Sequence, residues 1–229
     1  MPQIEYTADR FRGAIAGVNT PSASMPTTWG NLIWASVSVG KLGLSDIFRH
    51  GAFSTSEIRF KTHLLYANLM QKGSGEFGRS PLYDSLDSTE KGAVSYCLGM
   101  AMAKLFVCRL FAVPWLVHLE KLRRYRTVRL IGKSRPDLIG ATSSGQWVVV
   151  EAKGRTNLFS QTALNKAKSQ TRKVRAVSGQ SPSLRVATEA FFDRNLRVHL
   201  VDPNDHDPDA VDVEIDSSDF LRAYYDPFM

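Results

Sequence analysis

The sequence predicts a fold of the α/β (α+β) class, in which helices flank a mixed central sheet. The strongest observation is the segment 146–152, whose apolar run Trp147-Val148-Val149-Val150 is typical of a buried strand. Alternating or apolar segments elsewhere predict further strands, which lie at 126–131, 136–141, 184–192, 196–201 and 211–215. Helical patterns before and between these strands complete the prediction.

The first 85 residues are predicted to form a helical N-terminal extension, 1–85, that recognises the substrate, binds a partner protein or forms a homodimer. Residues 20–31 are rich in turn formers and predict a loop. A Ser-Thr-Ser-Glu motif fits a capping box and opens a helix over about 54–71. The glycine-rich segment 73–85 is the expected boundary of the extension.

The region 86–229 is predicted to hold the core domain and an acidic C-terminal segment. A long helix begins near Ser88, and Pro114 ends or restarts it. Among the strands that follow, a basic helix is expected at 158–177, and a short helix is expected near 218–225.

The charge distribution is more informative than the net charge of +7. Residues 201–229 carry nine acidic side chains and one basic side chain. The remaining residues, 1–200, therefore carry 28 basic and 13 acidic side chains, a net charge of +15. Such a basic body indicates a polyanionic partner, most often nucleic acid, although basic surfaces also serve solubility.

The sequence predicts a cytoplasmic protein without a membrane span. Its N-terminus lacks the basic start and apolar core of a secretory signal. The most apolar stretch, 93–119, is interrupted by two basic residues and a proline, which favours a buried or amphipathic helix. Cys97 and Cys108 would lie roughly 16 Å apart on one helix, so we expect two reduced thiols.

A hairpin is predicted to join the two central strands through the loop Ser143-Ser144-Gly145, with its glycine in the left-handed conformation. Counting back from this loop places Asp137 directly opposite Glu151. Because side chains alternate along a strand, Lys153 shares the face of Glu151. The three side chains are therefore expected to converge at the end of the sheet.

Two opposed carboxylates repel one another, and burial increases the cost. A Mg²⁺ ion offsets that cost, because this ion is usually held by one or two carboxylates together with substrate phosphates. A bound Mg²⁺ polarises a phosphoryl oxygen and activates water, and Lys153 would orient that water or neutralise charge on the phosphate. The alternative is an exposed strand end with an ordinary ion pair.

At these residues the sequence resembles the PD-(D/E)xK nuclease superfamily, which has the restriction-endonuclease-like fold. Pro136-Asp137 and Glu151-Ala152-Lys153 match its motif, and the order of helices and strands over 86–202 is similar. The resemblance implies that Asp137 and Glu151 bind Mg²⁺ (or Mn²⁺) and that Lys153 assists the attacking water.

Two residues on the flanking helices are further candidates for this site. Glu90 lies one turn before an apolar stripe, and superfamily members often carry a metal-site Glu on this helix; alternatively, Glu90 only completes a capping box with Asp87. Gln170 is the one large polar residue on the apolar stripe of the basic helix, where superfamily members often place a polar residue. The alternative is that Gln170 lies at the edge of the apolar stripe and its side chain reaches water.

The basic helix is also the predicted nucleic-acid surface, because it follows Lys153 directly in the chain. Away from its apolar stripe it carries Lys166, Lys168, Arg172, Lys173 and Arg175. An ordinary solvated face is the alternative for these side chains.

Two functional hypotheses follow. The first is a Mg²⁺-dependent endonuclease, with DNA favoured over RNA, and a restriction or phage-defence system is one setting that this fold permits. The second is a catalytically silent nuclease-like subunit that binds nucleic acid or serves assembly. The motif residues favour the first hypothesis, because a pure binding protein has no need of two opposed carboxylates.

Overall fold

This computed structural model describes residues 1–122, 129–130, 136–215, 218 and 220. Within them, the helices are α1 (Trp29–Ser38), α2 (Leu44–Phe48), α3 (Ala52–Asn68), α4 (Pro81–Ser85), α5 (Ser88–Phe111), α6 (Leu119–Leu122) and α7 (Gln161–Thr171), and a 3-10 turn spans Gly13–Val18. The strands are β1 (Gln3–Asp9), β2 (Thr20–Pro26), β3 (Leu69–Gln71), β4 (Phe77–Arg79), β5 (Val117–His118), β6 (Arg129–Leu130), β7 (Leu138–Ala141), β8 (Trp147–Gly154), β9 (Val174–Val177), β10 (Leu184–Asp193), β11 (Asn195–Val201) and β12 (Val211–Glu214).

The central sheet has seven strands in the order β2-β1-β11-β10-β8-β7-β5. It is mixed, because β1 runs parallel to β11 and β10 parallel to β8, whereas the other neighbours are antiparallel. Helices α5 and α7 both pack on β8 and β10. The predicted mixed sheet flanked by helices is therefore confirmed, and the restriction-endonuclease-like arrangement stays a prediction.

The N-terminal part is not purely helical, as β1 and β2 form one edge of the central sheet. The loop predicted at 20–31 is wrong, since β2 occupies most of it and α1 begins at Trp29. The prolines of β2 suit a strand at the sheet edge, where a missing N–H is tolerated. The boundary at residues 85/86 stays a prediction, although one hydrophobic cluster contains side chains from both sides of it.

Helix α3 begins earlier than the sequence predicts. Its N-cap is Gly51, which adopts φ 55°, so the capping box at Ser54 is wrong. The hydroxyl of Ser54 instead accepts the backbone N–H of His50 at 3.0 Å. The glycine provides a backbone conformation that other residues avoid, and this fixes the start of the helix.

Helix α7 is shorter than the predicted helix at 158–177. It is capped by Ser160 and ends at Thr171, and β9 begins at Val174 after a turn of two residues. Val174 and Val177 are buried in β9, which pairs in parallel with β12 of the C-terminal segment. Burial of these β-branched residues against a distant strand outweighs their helical spacing.

Helix α5 forms as predicted, starting at Ser88 behind the N-cap Asp87. By length and composition alone it could cross a membrane, but 72% of its most apolar window is buried inside the fold, as in core helices of soluble proteins. The cysteines at 97 and 108 are free thiols, as predicted. The cytoplasmic location stays a prediction.

The hairpin between β7 and β8 has the predicted register. Its pairs run from Leu138 opposite Val150 to Ala141 opposite Trp147, and Gly145 adopts φ 77°. The strands predicted at 184–192 and 196–201 are also present, as β10 and β11. Most of the strand predicted at 126–131, and of the helix predicted near 218–225, lies outside the described residues.

Candidate active site

The carboxylates of Asp137 and Glu151 meet at the end of the β7–β8 hairpin. The backbone N–H of Asp137 donates to Oε2 of Glu151 at 2.9 Å, and the backbone N–H of Ala152 donates to Oδ2 of Asp137 at 3.1 Å. These reciprocal bonds follow from the hairpin register, which puts residues 137 and 151 opposite each other. Each carboxylate is thereby oriented by the backbone of the other strand.

Lys153 and Gln170 complete the cluster. The ammonium of Lys153 donates to Oε1 of Glu151 and, at 2.8 Å, to Oε1 of Gln170. The glutamine lies on α7, which covers this face of β8 and β10. The structure therefore brings together four predicted site residues: Asp137, Glu151, Lys153 and Gln170.

The environment of Glu151 disfavours its charged form. Its side chain is fully buried. Desolvation, followed by the charge of Asp137, raises the pKa of Glu151 to about 7, although Lys153 and the backbone N–H of Asp137 act in the opposite direction. Burial therefore favours the neutral carboxyl group, and a bound cation would favour its ionised form.

The donor set fits a hard divalent cation bound partly by substrate. Both side chains offer carboxylate oxygens, and the three oxygens that accept the hydrogen bonds described above each keep a second lone pair. Among the described residues there is no group of three or more His, Cys, Asp and Glu placed as metal ligands. Mg²⁺ accepts such a site, because it commonly takes one or two carboxylates and completes its shell with phosphates and water.

Glu90 is not part of this cluster. Its side chain is exposed, and its Oε2 accepts the backbone N–H of Asp87 at 3.0 Å. The carboxylate of Asp87 in turn accepts the N–H of Glu90, so the capping box is complete. The capping alternative is therefore the one observed, because the third position of the helix turns this carboxylate back toward the helix start.

Two residues near the carboxylates were not predicted. Tyr96 of α5 is half exposed, and burial, together with the charges of Asp137 and Glu151, raises its pKa. His118 of β5 pairs with the residue after Asp137 and hydrogen bonds to the Asp137 backbone. Burial lowers the pKa of His118, which favours the neutral imidazole. No local pattern marks either residue, because both approach through tertiary packing.

The predicted nucleic-acid surface needs correction. Three of its five cations form ion pairs with the acidic C-terminal segment: Arg172 with Asp207 at 3.1 Å, Lys173 with Asp209 at 2.9 Å, and Arg175 with Asp212 at 2.6 Å. Arg175 also belongs to β9 and not to the helix. The acidic segment, remote in sequence, folds back through β12. Of the predicted set, Lys166 and Lys168 remain on α7 itself.

In comparisons with protein-family models, curated proteins and solved structures, no match to this chain was found. The resemblance to PD-(D/E)xK nucleases therefore rests on the sequence motifs Pro136-Asp137 and Glu151-Ala152-Lys153 and stays a prediction. The four-residue cluster described above is the chemistry from which a function can be argued.

Proposed function

We propose that this protein is a metal-dependent nuclease that hydrolyses phosphodiester bonds at Asp137, Glu151 and Lys153. The observation that carries the proposal is the fully buried Glu151, held against Asp137 at the end of the sheet. A buried carboxylate beside a second, partly buried carboxylate is costly without a compensating cation. Binding of Mg²⁺ or Mn²⁺ would explain why the protein retains this unfavourable arrangement of carboxylates.

The residues divide the chemistry among them. A divalent ion held by Asp137 and Glu151 would supply polarisation of the phosphoryl oxygen and activation of water. Lys153 donates to a substrate phosphate or to the attacking water, and it stabilises negative charge as it develops. Gln170 positions that ammonium through the 2.8 Å hydrogen bond. Partial burial strengthens each of these interactions.

The fold and the charge favour nucleic acid as the substrate, with DNA as the first choice. We assign the mixed sheet, with α5 and α7 against β8 and β10, to the restriction-endonuclease-like arrangement. The chain carries a net charge of +7, which suits a polyanionic substrate. The proposed location is the cytoplasm, and restriction or phage defence is a setting that this activity would serve.

A second candidate is a catalytically silent nuclease-like subunit that binds nucleic acid. The observation favouring it is the contact of Lys153 with Glu151, which compensates the buried charge without a metal ion. In this alternative the cluster stabilises the sheet end and the basic surface performs the function. Cleavage decides between the two candidates.

The test is incubation of the purified protein with supercoiled plasmid, linear duplex, circular single-stranded DNA and RNA. Each substrate is tested with Mg²⁺, with Mn²⁺ and with EDTA. The proposal predicts cleavage of at least one substrate with metal and none with EDTA. Binding without cleavage of any substrate, by folded protein in either metal, would support the silent alternative instead.

A further inference from the structure

A cavity of about 200 Å³ lies between α1, α3 and α5, next to the carboxylate cluster. Tyr96 and His118 form part of its lining. The same two side chains also lie near Asp137. The charge of Asp137 raises the pKa of Tyr96, and His118 hydrogen bonds to the backbone of Asp137. The cavity is therefore the space that adjoins the proposed metal site from the side of the N-terminal helices.

Basic side chains surround this cavity. Lys61 and Lys121 line it, and Lys41 lies behind them with an exposure of only 5%. Glu57 bonds to Lys41 at 2.8 Å and to Lys61 at 3.2 Å, so one carboxylate is shared by two ammonium groups. The Nζ of Lys121 donates to the carbonyl of Gly40 at 3.2 Å, which is a neutral acceptor.

The positive charge in this cluster is not fully balanced. Burial, followed by the neighbouring charges of Lys41 and Lys61, lowers the pKa of Lys121, while Asp46 and Glu57 act in the opposite direction. Three ammonium groups thus face two carboxylates, and one of these, Asp46, also accepts the backbone N–H of Leu42 at 3.1 Å. An anion in the cavity would relieve the repulsion among the lysines.

Exposed aromatic rings lie at the same cavity. Phe60 is 64% exposed and Tyr96 is 53% exposed, and both contribute to its lining. Aromatic rings beside cations are the combination by which proteins hold single-stranded nucleic acid, because bases stack on the rings and phosphates bind the cations. A base stacks on an exposed ring only when it is not already stacked within a duplex, so this combination favours an unpaired nucleotide.

We propose that this cavity binds one nucleotide of a single strand, with its phosphate on Lys61 and Lys121 and its base against Phe60 and Tyr96. The inference rests on the proposed nuclease function and specifies its substrate as a single strand or an unpaired segment. Glu57 positions Lys61 from one helical turn away. In this proposal the bound nucleic-acid strand continues from the cavity toward Asp137 and Glu151.

The phosphate contacts are tested by Lys61→Gln/Lys121→Gln, with Lys91→Gln/Arg109→Gln as a control of equal charge change outside the cavity. The probe is a fluorescein-labelled oligothymidine, titrated without divalent metal at several salt concentrations. Each lost phosphate contact lowers the slope of log affinity against log salt by about 0.7 for a single strand. The cavity variant is expected to lose about 1.4 in slope and the control to keep the parental slope. Equal slopes for the two variants would overturn the site.

The stacking contact is tested by Phe60→Ala, with Phe53→Ala as the matched control. Both rings lie exposed on α3, so neither change disturbs the core, and Phe53 does not line the cavity. Phe60→Ala is expected to weaken binding of the single strand about tenfold and to leave binding of a blunt duplex unchanged. An equal effect on both probes, or no effect, would contradict the proposal.

The outcome is separable from the nuclease activity itself. If the parent cleaves with Mg²⁺ but the lysine and Phe60 variants bind like their controls, the cavity site is wrong and the nuclease proposal stands. If both variants lose single-strand binding but the parent never cleaves, the binding site stands and the nuclease proposal fails.

Discussion

At the scale of single residues, the protonation of Glu151 controls the proposed site. Burial and the charge of Asp137 raise its pKa to about 7 from an ordinary value of 4.5. A raised pKa means that the folded protein holds this proton more tightly than the unfolded chain does. The contribution of Glu151 to the free energy of unfolding is therefore full below pH 4.5 and is lost as the pH rises through about 7.

Replacing Asp137 by Asn should lower the pKa of Glu151, because it removes a negative charge while keeping an oxygen that accepts the N–H of Ala152. The measurement is a carbon NMR titration of the glutamate carboxyl carbons in parent and variant. At one pKa unit per about 1.4 kcal/mol, the parent should lose up to about 3 kcal/mol of stability from pH 4.5 to above 7, and the variant less. A parental Glu151 that titrates near 4.5 would contradict this account.

Glu90 should matter for stability and not for cleavage, since it completes the capping box of α5. Glu90→Ala is expected to lower the free energy of unfolding by up to about 1 kcal/mol. Glu90→Gln keeps a capping oxygen and serves as the control. Both variants are measured by urea denaturation and in a cleavage assay. A loss of cleavage in the folded Glu90→Gln variant would show that Glu90 takes part in the active site.

The sequence predicts the site residues of the hairpin, and it predicts Gln170 from the apolar stripe of α7, but it does not predict Tyr96 and His118. Asp137 and Glu151 could be paired because a three-residue loop ending in Gly145 fixes the register. Tyr96 and His118 belong to α5 and β5, and their distance from the hairpin depends on how whole elements pack. No spacing within the sequence encodes that distance.

At the scale of elements, the contact of α5 with the end of β8 sets the geometry of the site. A Cβ atom added to Gly99 would lie 2.6 Å from the backbone nitrogen of Gly154, and one added to Gly154 would lie 1.7 Å from the carbonyl oxygen of Ser95. The helix therefore touches the strand backbone directly after Lys153. This contact places Tyr96 beside the carboxylates.

Gly99→Ala should separate the helix from the strand, at a cost of about 1 to 3 kcal/mol, and should reduce cleavage as Tyr96 moves. Gly92→Ala lies on the same helix and meets no atom within 4 Å. That control should gain up to about 1 kcal/mol, because alanine favours the helix more than glycine. Thermal denaturation of both variants is the measurement, and equal changes would show that the close approach has no energetic weight.

Pairing between distant segments explains which of the predicted elements are wrong. β1 pairs with β11, about 190 residues later in the chain, so no turn signal links them. The helical spacing of its apolar residues assigns β9 to a helix, whereas in the fold it pairs with β12 in the acidic segment. Local patterns predict β7, β8, β10 and β11 because their apolar residues form short runs or alternate along the strand.

At the scale of the whole molecule, the acidic C-terminal segment neutralises part of the basic surface. Counting charge along the sequence assigns a net charge of +15 to residues 1–200. In the fold, the aspartates at 207, 209 and 212 lie on the cations at 172, 173 and 175. The surface available to nucleic acid is therefore smaller than the sequence suggests.

Removing these acids should strengthen nucleic-acid binding. Asp207→Asn/Asp209→Asn/Asp212→Asn frees Lys173 and Arg175, whereas Arg172 keeps its ion pair with Asp205. The slope of log affinity against log salt should therefore steepen by about 1.4 for a single strand. The control, Glu5→Gln/Asp84→Asn/Asp193→Asn, removes the same charge from ion pairs elsewhere. Binding is measured by fluorescence anisotropy in EDTA. An equal gain in affinity in both variants would show that the change in net charge alone strengthens binding.

The central claim is that the Asp137, Glu151 and Lys153 cluster cleaves phosphodiester bonds, and its most direct test is single-turnover cleavage with Mg²⁺. The substrate is the one that the parent cleaves fastest, and the proteins are the parent, Glu151→Gln, Lys153→Gln and the surface control Lys91→Gln, each confirmed as folded. The account predicts that the parent and the control cleave at the same rate, whereas the two site variants lose at least about 100-fold. Cleavage by Glu151→Gln at the parental rate would contradict the account.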